Sequence, residues 1–121
     1  MIQGIGNDII AISRIRESIS RYGQNFLDRV FTVNEQAYCS RYRESSINYA
    51  GRFAAKEAVV KALGIGFTQG ISWLDIEVIN NDQGKPQVVC SDKLKQLFND
   101  PHLLISISHC KEHATAVAIW Q

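Results

Sequence analysis

The sequence predicts an α+β fold: a mainly antiparallel sheet packed against one long helix, with shorter helices beside it, as a single domain over residues 1–121. Three observations predict this. After an opening strand, apolar residues as far as Leu63 recur at spacings of three and four, the period of helices with one buried face. Beyond Gly70 the period becomes two: Leu74, Ile76 and Val78 alternate with Asp75, Glu77 and Ile79, then Leu103, Ile105 and Ile107 with Leu104, Ser106 and Ser108. Helices clustered first and neighbouring strands later are the pattern of α+β rather than of a parallel α/β sheet.

Residues 2–12 (I-Q-G-I-G-N-D-I-I-A-I) read as a strand buried on both faces, interrupted by Gly4-x-Gly6. Glycine inside a strand marks a bulge or a close approach by a ligand or another backbone. Asp8 is the only charge in this run, so it requires a partner, a cation or an edge position. Ser13 is placed to cap a helix running to about Tyr22, with Ile12, Ile15, Ile19 and Tyr22 as its apolar stripe and Arg14, Ser18 and Arg21 on another face. A short helical turn follows around Phe26–Val30. Thr32-Val33-Asn34-Glu35 is a capping box, which starts a helix expected to reach about Tyr42.

Ser45 or Ser46 opens the long helix. Ala54, Ala55, Ala58 and Ala62 favour it, Phe53, Val60 and Leu63 mark its core stripe, and Gly64 stops it. Asn81-Asp82-Gln83-Gly84-Lys85-Pro86 is turn chemistry, returning as a strand over Gln87–Cys90. Ser91 caps a short helix with Leu94, Leu97 and Phe98 inward, broken at Asp100-Pro101. The last two strands end at His109 and run over Ala114–Trp120.

Composition excludes several classes. At 121 residues and 45% hydrophobic, the chain is of the size and make-up of one soluble domain. It has no apolar run of membrane-spanning length and no signal-peptide start, so no membrane partner is expected. Three widely spaced cysteines, Cys39, Cys90 and Cys110, argue against a disulfide framework and for the cytoplasm. Net charge is +1, but residues 1–61 carry nine Lys or Arg against six Asp or Glu, while residues 62–121 carry four against six. That bias suits an acidic partner and is too weak for nucleic acid.

The chemistry candidates lie in Arg52–Gly66 and the opening strand. Glu57 and Lys61, four apart, sit one above the other on the long helix, beside alanines that let something approach closely. The ordinary outcome of that spacing is a surface ion pair contributing about 0.2–0.5 kcal/mol. With Asp8 added, the residues fit magnesium chemistry, since this ion takes one or two carboxylates together with substrate phosphates. Lysine would serve a phosphate as a point charge. Only the fold can bring Asp8 to Glu57. His109, Cys110 and His113 resemble a zinc ligand set or a Cys–His nucleophile, but adjacent residues in a turn point apart and no further ligand pair lies nearby.

Several motifs carry a resemblance. Gly4-Ile5-Gly6-Asn7-Asp8-Ile9-Ile10 with Ile12-x-Arg14-Ile15, then Phe31-Thr32-x-x-Glu35, resemble the opening signatures of the holo-[acyl-carrier-protein] synthases, the small class of 4′-phosphopantetheinyl transferases. Gly51-Arg52-Phe53-Ala54-Ala55-Lys56-Glu57-Ala58, continuing through Lys61-Ala62-Leu63-Gly64-x-Gly66, is similar to the central signature. Gly84-Lys85-Pro86 and Ile107-Ser108-His109 are similar to the later ones. The likeness spans the chain in order, and its central motif is highly specific.

The resemblance implies the 4′-phosphopantetheinyl transferase fold. It also implies magnesium-dependent transfer of the 4′-phosphopantetheine arm of coenzyme A to a serine of apo-acyl-carrier protein, releasing adenosine 3′,5′-bisphosphate, in fatty acid biosynthesis. By motif, Asp8 and Glu57 would be the magnesium ligands and Lys61 the pyrophosphate-binding lysine. Arg52, Gly66, Pro86 and His109 would line the coenzyme A pocket, and Arg14 and Arg21 would dock the acidic carrier. The family implies a homotrimer with sites between subunits. Ile65 stands where the family often has Thr or Ser, and Cys110 where Thr, Asp or Glu is commoner. The residues taken alone leave two other readings open: a non-catalytic coenzyme A or nucleotide-binding module of the same fold, and a small interaction protein gripping an acidic partner.

Overall fold

The structure, a computed structural model, describes residues 1–67 and 70–121. In chain order the elements are β1 (Gly4–Ala11), α1 (Ile12–Tyr22), α2 (Gln24–Val30), α3 (Val33–Cys39), α4 (Ser45–Leu63), a 3₁₀ turn (Trp73–Asp75), β2 (Ile76–Asn80), β3 (Pro86–Cys90), α5 (Asp92–Phe98), β4 (Leu103–His109) and β5 (His113–Trp120). Among the described residues one sheet has the order β1-β5-β4 and a second pairs β2 with β3, every pairing antiparallel. The α+β expectation holds.

Helix α4 is the centre of the molecule. Ala50, Ala54, Ala55, Ala58 and Val59 are wholly buried, and Tyr49, Val60, Ala62 and Leu63 nearly so. A helix apolar on most sides has neighbours on most sides: β1 and β5 lie against it, and α1, α3 and β2 touch it elsewhere. The small side chains of α4 meet small ones on the sheet, Ala114, Ala116 and Ala118 of β5. Gly4 and Gly6 resolve the Gly-x-Gly question. The β1–β5 register runs unbroken from Gly4↔Trp120 to Ala11↔His113, so there is no bulge. A Cβ added at Gly6 would run into the Ala58 carbonyl and the Ala62 amide, and one at Gly4 into the Ala62 carbonyl. The close approach is therefore by the backbone of α4 itself.

The capping box at Thr32 forms with both hydrogen bonds, and Gly64 ends α4 at a left-handed φ of 76°, where a side chain would be strained. Several expectations need correction. Ser13 does not cap α1: the helix starts at Ile12, and its N-cap, Ala11, makes no side-chain capping bond. Helix α3 stops at Cys39, short of Tyr42. Leu74 belongs to the 3₁₀ turn, where the Ser72 hydroxyl accepts from the Leu74 amide, and its side chain is exposed rather than inward. Leu97 is likewise exposed, leaving Leu94 as the buried anchor of α5. Strand β1 is not buried on both faces. Helix α4 covers one face only, and Ile5 and Ile9, on the other, are 69% and 67% exposed.

Candidate active site

The residues of β1 that face α4 are Gly4, Gly6, Asp8 and Ile10, two apart as strand geometry requires. The absent side chain at Gly6 lets the helix lie close, and the next inward residue, Asp8, then meets the last turns of α4. Lys61 Nζ donates to Asp8 Oδ1 at 3.0 Å and to the Asn7 carbonyl at 3.0 Å. The ordinary ion pair within the helix is thus replaced by one between elements 53 residues apart. Asp8 satisfies two of the conditions posed for it, since β1 is an edge strand and a cation lies beside it.

Glu57 completes the group. Its carboxyl is pushed up from the usual carboxylate range by burial first and by the negative charge of Asp8 second, with Lys61 opposing. Two carboxylates and one ammonium thus share a half-open place at the junction of β1 and α4. The acids repel, and one lysine offsets only part of their charge.

A second group forms nearer the start of α4. Arg52, Pro86 and His109 line one cavity of about 300 Å³ together with Tyr38, Asn48 and Asn80. Arg52, 5% exposed, donates from Nη2 to Asn80 Oδ1 at 3.1 Å, and its guanidinium carbon lies 4.1 Å from the centre of the Tyr38 ring. Gly66 does not line this cavity; it follows the end of α4, exposed, at a φ of 62°. Cys110 is exposed in the β4–β5 turn, its amide donating to the His113 carbonyl. Arg14 and Arg21 share a shallow depression on α1 with Glu17, Ser18 and Tyr22, and the Arg21 guanidinium lies 5.5 Å over the Tyr22 ring.

The sequence reading missed Lys56 and Glu35 as a pair. Lys56 Nζ lies 2.6 Å from Glu35 Oε1, with both side chains fully buried, and also donates to the carbonyls of Val30 and Trp73. Burial pulls the Lys56 amine down from the usual lysine range, with the charge of Glu35 opposing. Tyr38 and Asn80 were missed too. Asn80 stands just ahead of the Asn81–Pro86 turn and Tyr38 inside the helix that follows Thr32, and nothing in the sequence singled either out.

The sequence matches the 4′-phosphopantetheinyl transferase superfamily over residues 4–118. The chain belongs to that superfamily. This transferase is 62% identical to the holo-[acyl-carrier-protein] synthase of Protochlamydia amoebophila, over 99% of its own length and 98% of the relative's. Among solved structures it resembles the holo-[acyl-carrier-protein] synthase of Bacillus anthracis in complex with CoA (3′,5′-ADP), with a TM-score of 0.84, 39% identity and coverage of 99% and 96% of the two chains. It also resembles the Helicobacter pylori synthase in complex with coenzyme A, with a TM-score of 0.88, 35% identity and coverage of 97% and 99%.

Proposed function

We propose that this transferase moves the 4′-phosphopantetheine arm of coenzyme A to a serine of apo-acyl-carrier protein and releases adenosine 3′,5′-bisphosphate, as a magnesium-dependent step of fatty acid biosynthesis. The observation that carries the proposal is the meeting of Asp8, Glu57 and Lys61 in a chain of this family. The donor set suits the ion. Both acids offer hard oxygens, Asp8 lies close enough to help raise the Glu57 carboxyl, and magnesium needs few protein ligands because it keeps several waters. Asp8 and Glu57 would hold it. When bound, it supplies neutralisation of the charge on phosphate oxygens.

The remaining roles belong to the chain. Lys61, half-exposed beside Asp8, offers an ammonium to the pyrophosphate. Arg52, with Pro86 and His109, lines the pocket for the anionic end of coenzyme A. Gly66 presents backbone without a side chain just past α4. Arg14 and Arg21 on α1 form the face for the acidic carrier, continuous through Ser18 and Tyr22 with a neighbouring depression bearing Arg29.

We read the assembly as a homotrimer. The outer face of the three-stranded sheet supports this, since Ile5, Ile9, Leu104 and Val117 lie exposed there as an uncovered apolar surface. So does the nine-residue separation of Arg52 from Lys61 on α4, about 14 Å along the helix axis, which a neighbouring copy would close into one site. No helix among the described residues is long and apolar enough to cross a membrane. The cytoplasmic reading rests on the unbridged cysteines Cys39, Cys90 and Cys110.

The test is incubation with coenzyme A, magnesium chloride and an apo-carrier protein, followed by intact-mass measurement of the carrier. A gain of one phosphopantetheine, abolished by chelator, is expected. An unchanged carrier mass would overturn the transfer reaction and leave a binding module.

A further inference from the structure

We propose that Tyr38 and Asn80 are positioning residues that clamp the Arg52 guanidinium in the orientation in which it meets an anion in its cavity. The inference deepens the coenzyme A reading and rests on it.

A guanidinium on a flexible stem can tilt and can spin within its plane, and each freedom has its own restraint here. The ring of Tyr38, with its centre 4.1 Å from the guanidinium carbon, fixes the tilt by a cation–π contact. Asn80 fixes the spin through the hydrogen bond from Nη2 to Oδ1. The two restraints are themselves joined. Asn80 Nδ2 donates to the Tyr38 hydroxyl at 3.1 Å, which turns the amide so that its oxygen faces Arg52. The same hydroxyl accepts from Tyr42 at 3.1 Å.

Arg52 is not saturated by these contacts. A guanidinium has five N–H donors, and Nε of Arg52 is buried without a hydrogen-bond partner among the described residues. Buried donors are nearly always paired, so an orphan on a cation lining a cavity points to a donor kept for a ligand. Neither clamp residue is core. Tyr38 and Asn80 are both half-buried on the cavity wall, from elements separated by α4 in the chain, and both turn polar or aromatic groups onto Arg52.

The experiment measures steady-state kinetics on the full chain, together with calorimetric binding of adenosine 3′,5′-bisphosphate, for Arg52→Ala, Asn80→Ala, Tyr38→Leu and Tyr38→Phe. Asn80→Ala and Tyr38→Leu are expected to raise KM for coenzyme A about tenfold, with kcat changed by less than about twofold, and to weaken the bisphosphate in step. Tyr38→Phe keeps the ring face and is expected to recover most of the loss. In the Arg52→Ala background neither substitution should add anything, because their effects pass through the guanidinium.

Additive losses in that background would overturn the clamp, as would a KM within about twofold of wild type for both Asn80→Ala and Tyr38→Leu. If Tyr38→Leu does not fold, Asn80→Ala decides, alone and in the Arg52→Ala background. If the wild-type chain binds neither coenzyme A nor the bisphosphate, the coenzyme A reading itself fails and the clamp with it.

Discussion

Lys56 and Lys61 stand on the same helix, five residues apart, and each holds a carboxylate from a distant part of the chain. At Lys56 the pair is sealed. Its ammonium spends three donors on Glu35, Val30 and Trp73, while Glu35 also accepts from the amides of Thr32 and Val78. At Lys61 the pair is open, with 52% of the lysine side chain and 16% of Asp8 exposed, and a second acid, Glu57, lies close enough to feel both charges. The same two residue types thus serve different ends. A buried pair with every donor and acceptor used has nothing left for a ligand, and it ties α4 to α3 and β2. A half-open group with one acid too many has charge to spare, which suits the metal-holding role proposed for it.

The sharpest way to break this contrast is to cut the sealed pair. Glu35→Ala would strand the Lys56 ammonium where burial already disfavours it. Removing one partner of a buried pair costs about 3–5 kcal/mol, whereas replacing both by apolar residues of similar volume is often near neutral. Urea unfolding of Glu35→Ala should show a loss of that size, with only part of it recovered in Glu35→Leu combined with Lys56→Met, because the amides of Thr32 and Val78 stay unpaired. A single-variant loss below about 1 kcal/mol would place Lys56 with ordinary surface pairs and erase the distinction.

The next largest effect lies at the open group and has the opposite signature. Glu57→Ala and Lys61→Ala should each lower carrier modification at least about a hundredfold, the scale on which single charge-stabilising groups act. Their melting temperatures should stay within a few degrees of wild type, because neither side chain is buried in the core. Wild-type rates in either variant with magnesium present would remove that residue from the machinery.

How much of this could be read from the sequence follows the same division. Local signals carried far: the Thr32–Glu35 box, the Gly64 stop and the two-residue alternation each determine structure through near neighbours. Asp8 was legible as a lone charge in an apolar strand, and Gly6 as a close approach, although the approaching body was visible only in three dimensions. What stayed hidden depends on contacts far apart in sequence that leave no periodic trace. Glu35 reads as a capping glutamate, and its second oxygen reaches Val78 only because β2 passes beside α3. Asn80 lies just ahead of the Asn81–Pro86 turn with no signal of its own, yet it holds Arg52 across 28 residues. The exposure of Ile5 and Ile9 defeated a reading in which an apolar strand is covered on both sides.

The smallest expected effect tests whether the open group is out of balance in the absence of any ligand. The folded state holds the Glu57 proton more tightly than the unfolded chain does, because burial and Asp8 both disfavour its charge. Raising the pH from the unfolded carboxylate value of 4.5 therefore removes stability, and above the folded value the full cost of an ionised Glu57 is present. Glu57→Gln has no charge to form. It should melt above wild type near neutral pH, and the gap should close as the pH falls through the ordinary carboxylate range. Thermal melts of both proteins in chelated buffer from about pH 4 to pH 7 measure this. A gap that does not vary with pH would mean that Asp8 and burial do not strain Glu57. The open group would then be an ordinary surface cluster, no different in kind from the Arg16–Glu44 pair elsewhere on the molecule.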